Sequence, residues 1–192
     1  MSIYTGRGDE GQTDLRDMTR VSKASERIES YGTVDELNAL VGTIRPAGYD
    51  DVDDHLERIQ NHLHILQAEL AAPGETDAES HEGGESGASA ADGPTLAAEH
   101  VAALESWIDG YDEELEPLRS FVLPGGSEHG ARTHHARAVC RRAERRVVAL
   151  AAVEPVSPVA VEYLNRLSDA LFTIARVLNQ RDGVPETPPS YS

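Results

Sequence analysis

The sequence predicts an all-α chain, a five-helix bundle in one domain. Three observations carry this. Five stretches place apolar residues at three- and four-residue steps, the spacing of one helical face. No alternating strand pattern runs longer than a few residues. The 192 residues suffice for one core and are too few for two large ones.

The elements follow in order. A first helix is expected over about residues 25–45. A second covers about residues 51–72, with Leu56, Ile59, Leu63, Leu66 and Leu70 as its stripe. A third covers about residues 95–115 around Leu96, Val101, Leu104 and Ile108. A fourth covers about residues 127–152, with Ala136, Cys140, Ala143, Val147 and Leu150 inward and Ser127 as its N-cap. A fifth begins near Ser157, where Pro158 suits a first helical turn. Its seam is Ala160, Leu164, Leu167, Leu171, Ile174 and Leu178. Narrow stripes of this length are those of a helical bundle. Residues 73–94 are Gly, Ser, Ala and acid, and cannot offset their ordering entropy by burial. They are expected to form an acidic mobile loop joining two helices. The tail over 181–192 is expected to be flexible.

Charge narrows the function. Asp and Glu number 34 against 17 Lys and Arg, a formal net charge of −17. Phosphate backbones would be repelled, which argues against nucleic-acid binding. An acidic surface with a single lysine, Lys23, fits a salt-rich medium, where screening removes self-repulsion. No apolar run is long enough for a membrane span. The single cysteine and the lack of a secretory signal fit a reducing, cytoplasmic setting.

Three stretches carry candidate chemistry. Near the start, Gly6, Gly8 and Gly11 spell G-x-G-x-x-G, but no strand precedes them and no parallel sheet follows, so a dinucleotide-binding turn is excluded on context. What remains is a loop whose backbone N–H groups can approach an anion closely, with Thr5 and Thr13 as hydroxyl donors and Arg7 as added charge. Lys23 follows ten residues after Thr13 and supplies a compact point charge suited to phosphate.

The strongest stretch is HHARAVCRRAERRVVAL, residues 134–150. Arg137, Arg141 and Arg145 are spaced by four and form one stripe, flanked by Arg142, Glu144 and Arg146. Six of the sixteen arginines lie between Arg132 and Arg146, a concentration that calls for a polyanion or for acidic partner groups. Asp35 and Glu36 sit in an otherwise apolar helix, and Asp35 is a candidate partner for one of these arginines, within the chain or across a subunit contact. Asn165 on the last helix is a candidate hydrogen-bonding group. Phe121 hangs on FVLPGGS, the hinge into the fourth helix, as an apolar flap or a core residue. No histidine pair has the spacing of a zinc site, and most histidines read as surface or core positions.

Taken together, the motifs T-x-x-G-D-x-G-x-T, V-S-K, Y-G-x-V-D-E-L-N, F-x-L-P-G-G, R-x-x-C-R-R-A-E-R-R-V-V and N-R-L-S-D occur here in this order. The chain thereby resembles the PduO-type ATP:cob(I)alamin adenosyltransferases (corrinoid adenosyltransferases) from Ile3 to about Asn179. The resemblance implies a homotrimer with active sites between subunits, and transfer of the 5′-deoxyadenosyl group of ATP to cobalt with release of tripolyphosphate. It assigns residues 1–24 to nucleotide binding, through Thr5, Gly6, Arg7, Gly8, Asp9 and Thr13, with Lys23 on the phosphates. Arg137, Arg141, Arg142, Glu144, Arg145 and Asn165 complete the site, with Mg²⁺ on the triphosphate and no protein metal cage. Asp35 would pair with Arg141 across the subunit contact. Phe121 would sit under the corrin of cobalamin and displace the lower cobalt ligand. A corrinoid reductase and an adenosylcobalamin-dependent mutase are the implied partners. The family usually has lysine directly after the first threonine. Here Gly6 stands there, with Arg7 next as the candidate to supply the charge. That departure motivates the alternative, a non-catalytic trimeric ATP sensor or cobalamin carrier on the same fold.

Overall fold

The structure is a computed structural model that describes residues 4–72 and 94–191. Five helices form: α1 (Glu26–Gly42), α2 (Asp50–Leu70), α3 (Ala98–Asp112), α4 (Glu128–Ala151) and α5 (Pro158–Arg181). The expected starts of α1, α4 and α5 hold because each has a local cause. The Ser25 and Ser127 hydroxyls accept from the backbone N–H groups of Ile28 and Gly130, and Pro158 occupies the first turn of α5. The loop expected over 73–94 falls outside the described residues apart from Pro94.

The helices pack as a series of neighbours: α2 on α1, α1 on α4, α4 on α5, and α5 on α3. Every residue named above for the stripes of α2, α4 and α5 is buried. On α3, Val101 and Leu104 are buried and Ile108 is partly so, and Leu96 just before the helix is buried as well. The α4–α5 seam is close because α4 contributes Ala136, Cys140 and Ala143, all small. The Cys140 thiol donates to the Leu164 carbonyl oxygen at 3.2 Å, and burial pushes its pKa up, so it is a packing residue rather than a nucleophile.

Two departures from expectation concern the ends. Before α1, strands β1 (Gln12–Asp14) and β2 (Arg20–Ser22) pair antiparallel, Thr13 opposite Val21. Three residues per strand are too few to show an alternation in sequence. The ribbon is instead closed by its turn, where Asp17 accepts from the Thr19 N–H at 2.8 Å and its hydroxyl at 2.7 Å. The tail, expected to be flexible, is tied down as far as Thr187. Arg181 is still helical and pairs with Asp51 at 2.8 Å and Glu114 at 2.7 Å. The Val184 N–H donates to the Asn179 carbonyl, and the Thr187 carbonyl accepts from the Leu123 N–H, both at 2.8 Å. Polar anchors of this kind leave no hydrophobic periodicity to read.

Arg27 fastens three helix ends together. It is 3 % exposed and donates to Glu154 just beyond α4 at 2.8 Å, and to the Leu70 and Ala72 carbonyls at the end of α2 at 2.7 and 3.2 Å. Arg27→Ala strands these acceptors. It is expected to lower stability by about 2 kcal/mol in urea unfolding, less than a fully buried pair because Glu154 is partly exposed. An unchanged midpoint would contradict the assignment.

A second prediction concerns pH. His62 of α2 lies between α3 and α5, its Nδ1 3.2 Å from the Tyr163 hydroxyl and its ring edge-on to His100. Burial, then the neighbouring His100 and Arg58, lowers its pKa to about 4. The unfolded chain therefore binds the proton first, between pH 6.5 and about 4. Its contribution to stability is present above the ordinary histidine value and is lost as pH falls through that window. Urea midpoints at pH 7 and pH 5 should differ less in His62→Gln than in the parent chain; equal differences would contradict this.

Candidate active site

The expected site residues fall into three groups. The first is the N-terminal loop before and within the ribbon. Gly6 and Gly11 have φ of +72° and +78°, a conformation that glycine adopts without strain. The loop is laced to the ribbon. Arg7 pairs with Asp14 at 3.0 Å, Arg20 donates to the Arg7 carbonyl at 2.6 Å and to Gln12 at 2.8 Å, and the Lys23 N–H donates to the Gly11 carbonyl at 2.9 Å. The Lys23 ammonium lies over Gly8, where a Cβ would come within 2.9 Å of Nζ. One exposed cation is thus held above a glycine-rich turn carrying Thr5, Asp9 and Thr13, the arrangement an anion would need.

The second group is the α4 face. The flanking arginines are neutralised: Arg132 by Glu128 at 2.5 Å, Arg142 by Glu36, and Arg146 by Glu29 at 3.2 Å. Sequence reasoning found only Glu144 as a local partner, and it missed these α1 carboxylates because they come from a neighbouring helix. Asp35, by contrast, forms no ion pair among the described residues. The within-chain form of its expected pairing is not made, because Glu36 and Glu29, two turns apart on the α1 face that packs on α4, take the arginines instead. The central stripe keeps its charge. Among the described residues Arg137, Arg141 and Arg145 enter no ion pair. Eight residues of helix separate the first from the last, about 12 Å. Glu144 is committed sideways, accepting from the Asn165 amide of α5 at 3.0 Å. The structure therefore brings Glu144 and Asn165 together beside the free arginines.

Arg137 leans over the Phe172 ring at 5.9 Å, and its Nε is buried without a hydrogen-bond partner among the described residues. Both ring nitrogens of His134, also against Phe172, are in the same condition, and burial, then the neighbouring Arg137, lowers the His134 pKa. Neither His134 nor Phe172 was singled out from sequence. Their signal, a polar and an aromatic residue on facing positions of α4 and α5, exists only once the helices are paired.

The third group is the α3–α4 loop. Phe121 is 83 % exposed, with Leu118 and Leu123 exposed beside it. This decides between the two sequence readings: Phe121 is a projecting apolar residue and not core. Apolar side chains exposed together in this way mark binding surfaces more than one exposed aromatic alone would. Among the described residues no group of three or more His, Cys, Asp or Glu is arranged to hold a metal ion, and no helix is long and apolar enough to cross a membrane.

The chain has relatives over nearly its whole length. Residues 3–178 match the family model described as cobalamin adenosyltransferase. A cobalamin adenosyltransferase of Cupriavidus metallidurans is 43 % identical over 94 % of this chain and 90 % of its own length. A corrinoid adenosyltransferase of Bacillus subtilis is 40 % identical over 96 % of this chain and 90 % of its own length. Among solved structures, a phenylalanine-to-histidine variant of a PduO-type ATP:corrinoid adenosyltransferase from Lactobacillus reuteri, complexed with cobalamin and ATP, superposes with a TM-score of 0.86 at 30 % identity, covering 100 % of this chain and 98 % of that one. On the motifs, the five-helix fold and this full-length similarity, the chain belongs to the cobalamin adenosyltransferase family.

Proposed function

We infer that this chain transfers the 5′-deoxyadenosyl group of ATP to cob(I)alamin, giving adenosylcobalamin and tripolyphosphate. The observation that carries the reading is the stripe of Arg137, Arg141 and Arg145, without an ion pair among the described residues on a chain of net charge −17.

The chemistry asks little of the side chains beyond placement. Cobalt(I) is itself the nucleophile. The cobalt–carbon bond forms at C5′ of the ribose as the C5′–oxygen bond breaks, and the electron pair leaves with tripolyphosphate. The protein must align the two reactants and stabilise charge growing on the leaving group. Arg141 and Arg145 suit the second task, with Lys23 and the backbone N–H groups of residues 5–13 on the phosphates and Asn165, held by Glu144, beside them. Arg7 is the candidate for the charge that the family usually places one residue earlier, and it would have to leave Asp14 to meet a phosphate. Mg²⁺ bound with the nucleotide would offset the charge of the phosphates. Phe121 meets the corrin from below and takes the place of the lower cobalt ligand, which eases reduction to cobalt(I).

Three copies complete the site. Asp35, exposed on α1 and without an ion pair among the described residues, would pair with Arg141 of a neighbouring subunit, and the exposed Val148 on α4 fits a covered face. The trimer should appear as a mass of three chains in light scattering; a monomer at working concentration would contradict it.

Activity is tested anaerobically with ATP, Mg²⁺ and reduced cobalamin at several salt concentrations. The expected result is a light-sensitive alkylcobalt product. Tight ATP or cobalamin binding with no product at any salt would favour a carrier or sensor. Arg145→Ala is expected to lower kcat/KM by about 10²-fold or more, and Lys23→Ala by about tenfold or more, each with the assembly retained. Unchanged turnover would remove those residues from the site.

A further inference from the structure

We propose that Arg176 and Glu186, with Asn179, form a clamp that positions Phe121, so that the C-terminal tail is a working part of the site. The inference rests on the adenosyltransferase reading of Phe121.

The loop carrying Phe121 has almost no apolar support of its own. Leu118, Phe121 and Leu123 all face outward. A cleft of about 510 Å³, lined by Leu115, Glu116, Arg176 and the tail residues Val184 to Glu186, lies behind its first half. Packing fixes only the start of the loop, through Leu115, and polar contacts from one stretch of α5 hold the rest.

Arg176 is 6 % exposed, an unusual place for a guanidinium. It donates to the Glu116 carbonyl at 2.8 Å, where the loop begins, and to Glu186 of the tail at 2.8 and 3.3 Å. One turn on, the Gln180 amide donates to the Glu114 carbonyl at 2.7 Å. Asn179 holds the other end of the loop. Its side chain accepts from the Ser127 N–H at 2.9 Å and donates to the Gly125 carbonyl at 3.0 Å. It fills the space over Gly126 and Gly130, where a Cβ would fall 2.1 and 2.0 Å from its oxygen. The glycines of PGGSEHG are thus the socket for Asn179. Between these anchors the Leu123 N–H, two residues after Phe121, donates to the Thr187 carbonyl.

Phe121 is left projecting while the chain on both sides is fixed. The charged half of the clamp, Arg176 with Glu186, ties the loop to the tail. Loosening it should let Phe121 sit at several heights against the corrin without disturbing the phosphate end of the site.

The test uses the full chain with Glu186→Gln, a substitution that keeps shape and removes charge, and a second variant lacking residues 185–192. Cob(II)alamin is bound in the presence of ATP and Mg²⁺, and electron paramagnetic resonance reports the fraction whose lower nitrogen ligand is gone. In both variants that fraction should fall about threefold and the KM for cobalamin should rise about threefold, with ATP affinity unchanged. Adding Phe121→Ala to Glu186→Gln should cost no more than Phe121→Ala alone. Variants that match the parent chain in ligand-free fraction and KM would overturn the clamp. A parent chain that shows no ligand-free cobalt would overturn the reading of Phe121 itself, and the clamp's role with it.

Discussion

The architecture depends on one constraint: α4 must bury a face of small side chains against α5 and α1. Ala136, Cys140 and Ala143 bring α5 close, and the Ser30 hydroxyl reaches the Arg146 carbonyl at 3.0 Å to fix α1. With those faces buried, the long cations of α4 can only turn outward. The α1 carboxylates then sort them, neutralising Arg142 and Arg146 and leaving Arg141 and Arg145 without an ion pair among the described residues. Unpaired arginines on an acidic protein represent interaction energy held in reserve for an anionic ligand. The charge that defines the site is a consequence of how one helix packs.

The two irregular segments serve that helix from opposite ends. Before α1, a short ribbon and its hydrogen bonds hold Lys23 above a glycine-rich turn. Before α4, α5 side chains and the returning tail hold the loop of Phe121. Both are fixed by polar contacts rather than by burial, which suits parts that meet a ligand. Contacts of that kind are specific in geometry but modest in net stability.

Much of this was legible in the sequence because the bundle is periodic. The stripes of α2, α4 and α5 coincide with the core, and Ser127 caps α4 as read. The Arg137–Arg141–Arg145 stripe was legible for the same reason, since a four-residue spacing puts side chains on one face. What could not be read depends on partners distant in sequence. Glu36 pairs with Arg142 across 106 positions, and Arg27 with Glu154 across 127. Asn179 shows its role only once Gly126 and Gly130 are seen to enclose it. The ribbon was too short for any period to register, and the tail, polar and rich in proline, carried no sign of the hydrogen bonds that hold it. Phe121 was ambiguous between flap and core until its exposure was known.

The central claim is that the triphosphate, more than the base or ribose, is what the chain grips. Calorimetric titration of tripolyphosphate and of adenosine, each alone and in the presence of Mg²⁺, tests it most directly. The account predicts that tripolyphosphate binds and competes with ATP while adenosine binds at least about tenfold more weakly, a difference of about 1.4 kcal/mol. Adenosine binding as tightly as ATP, with tripolyphosphate failing to compete, would contradict it.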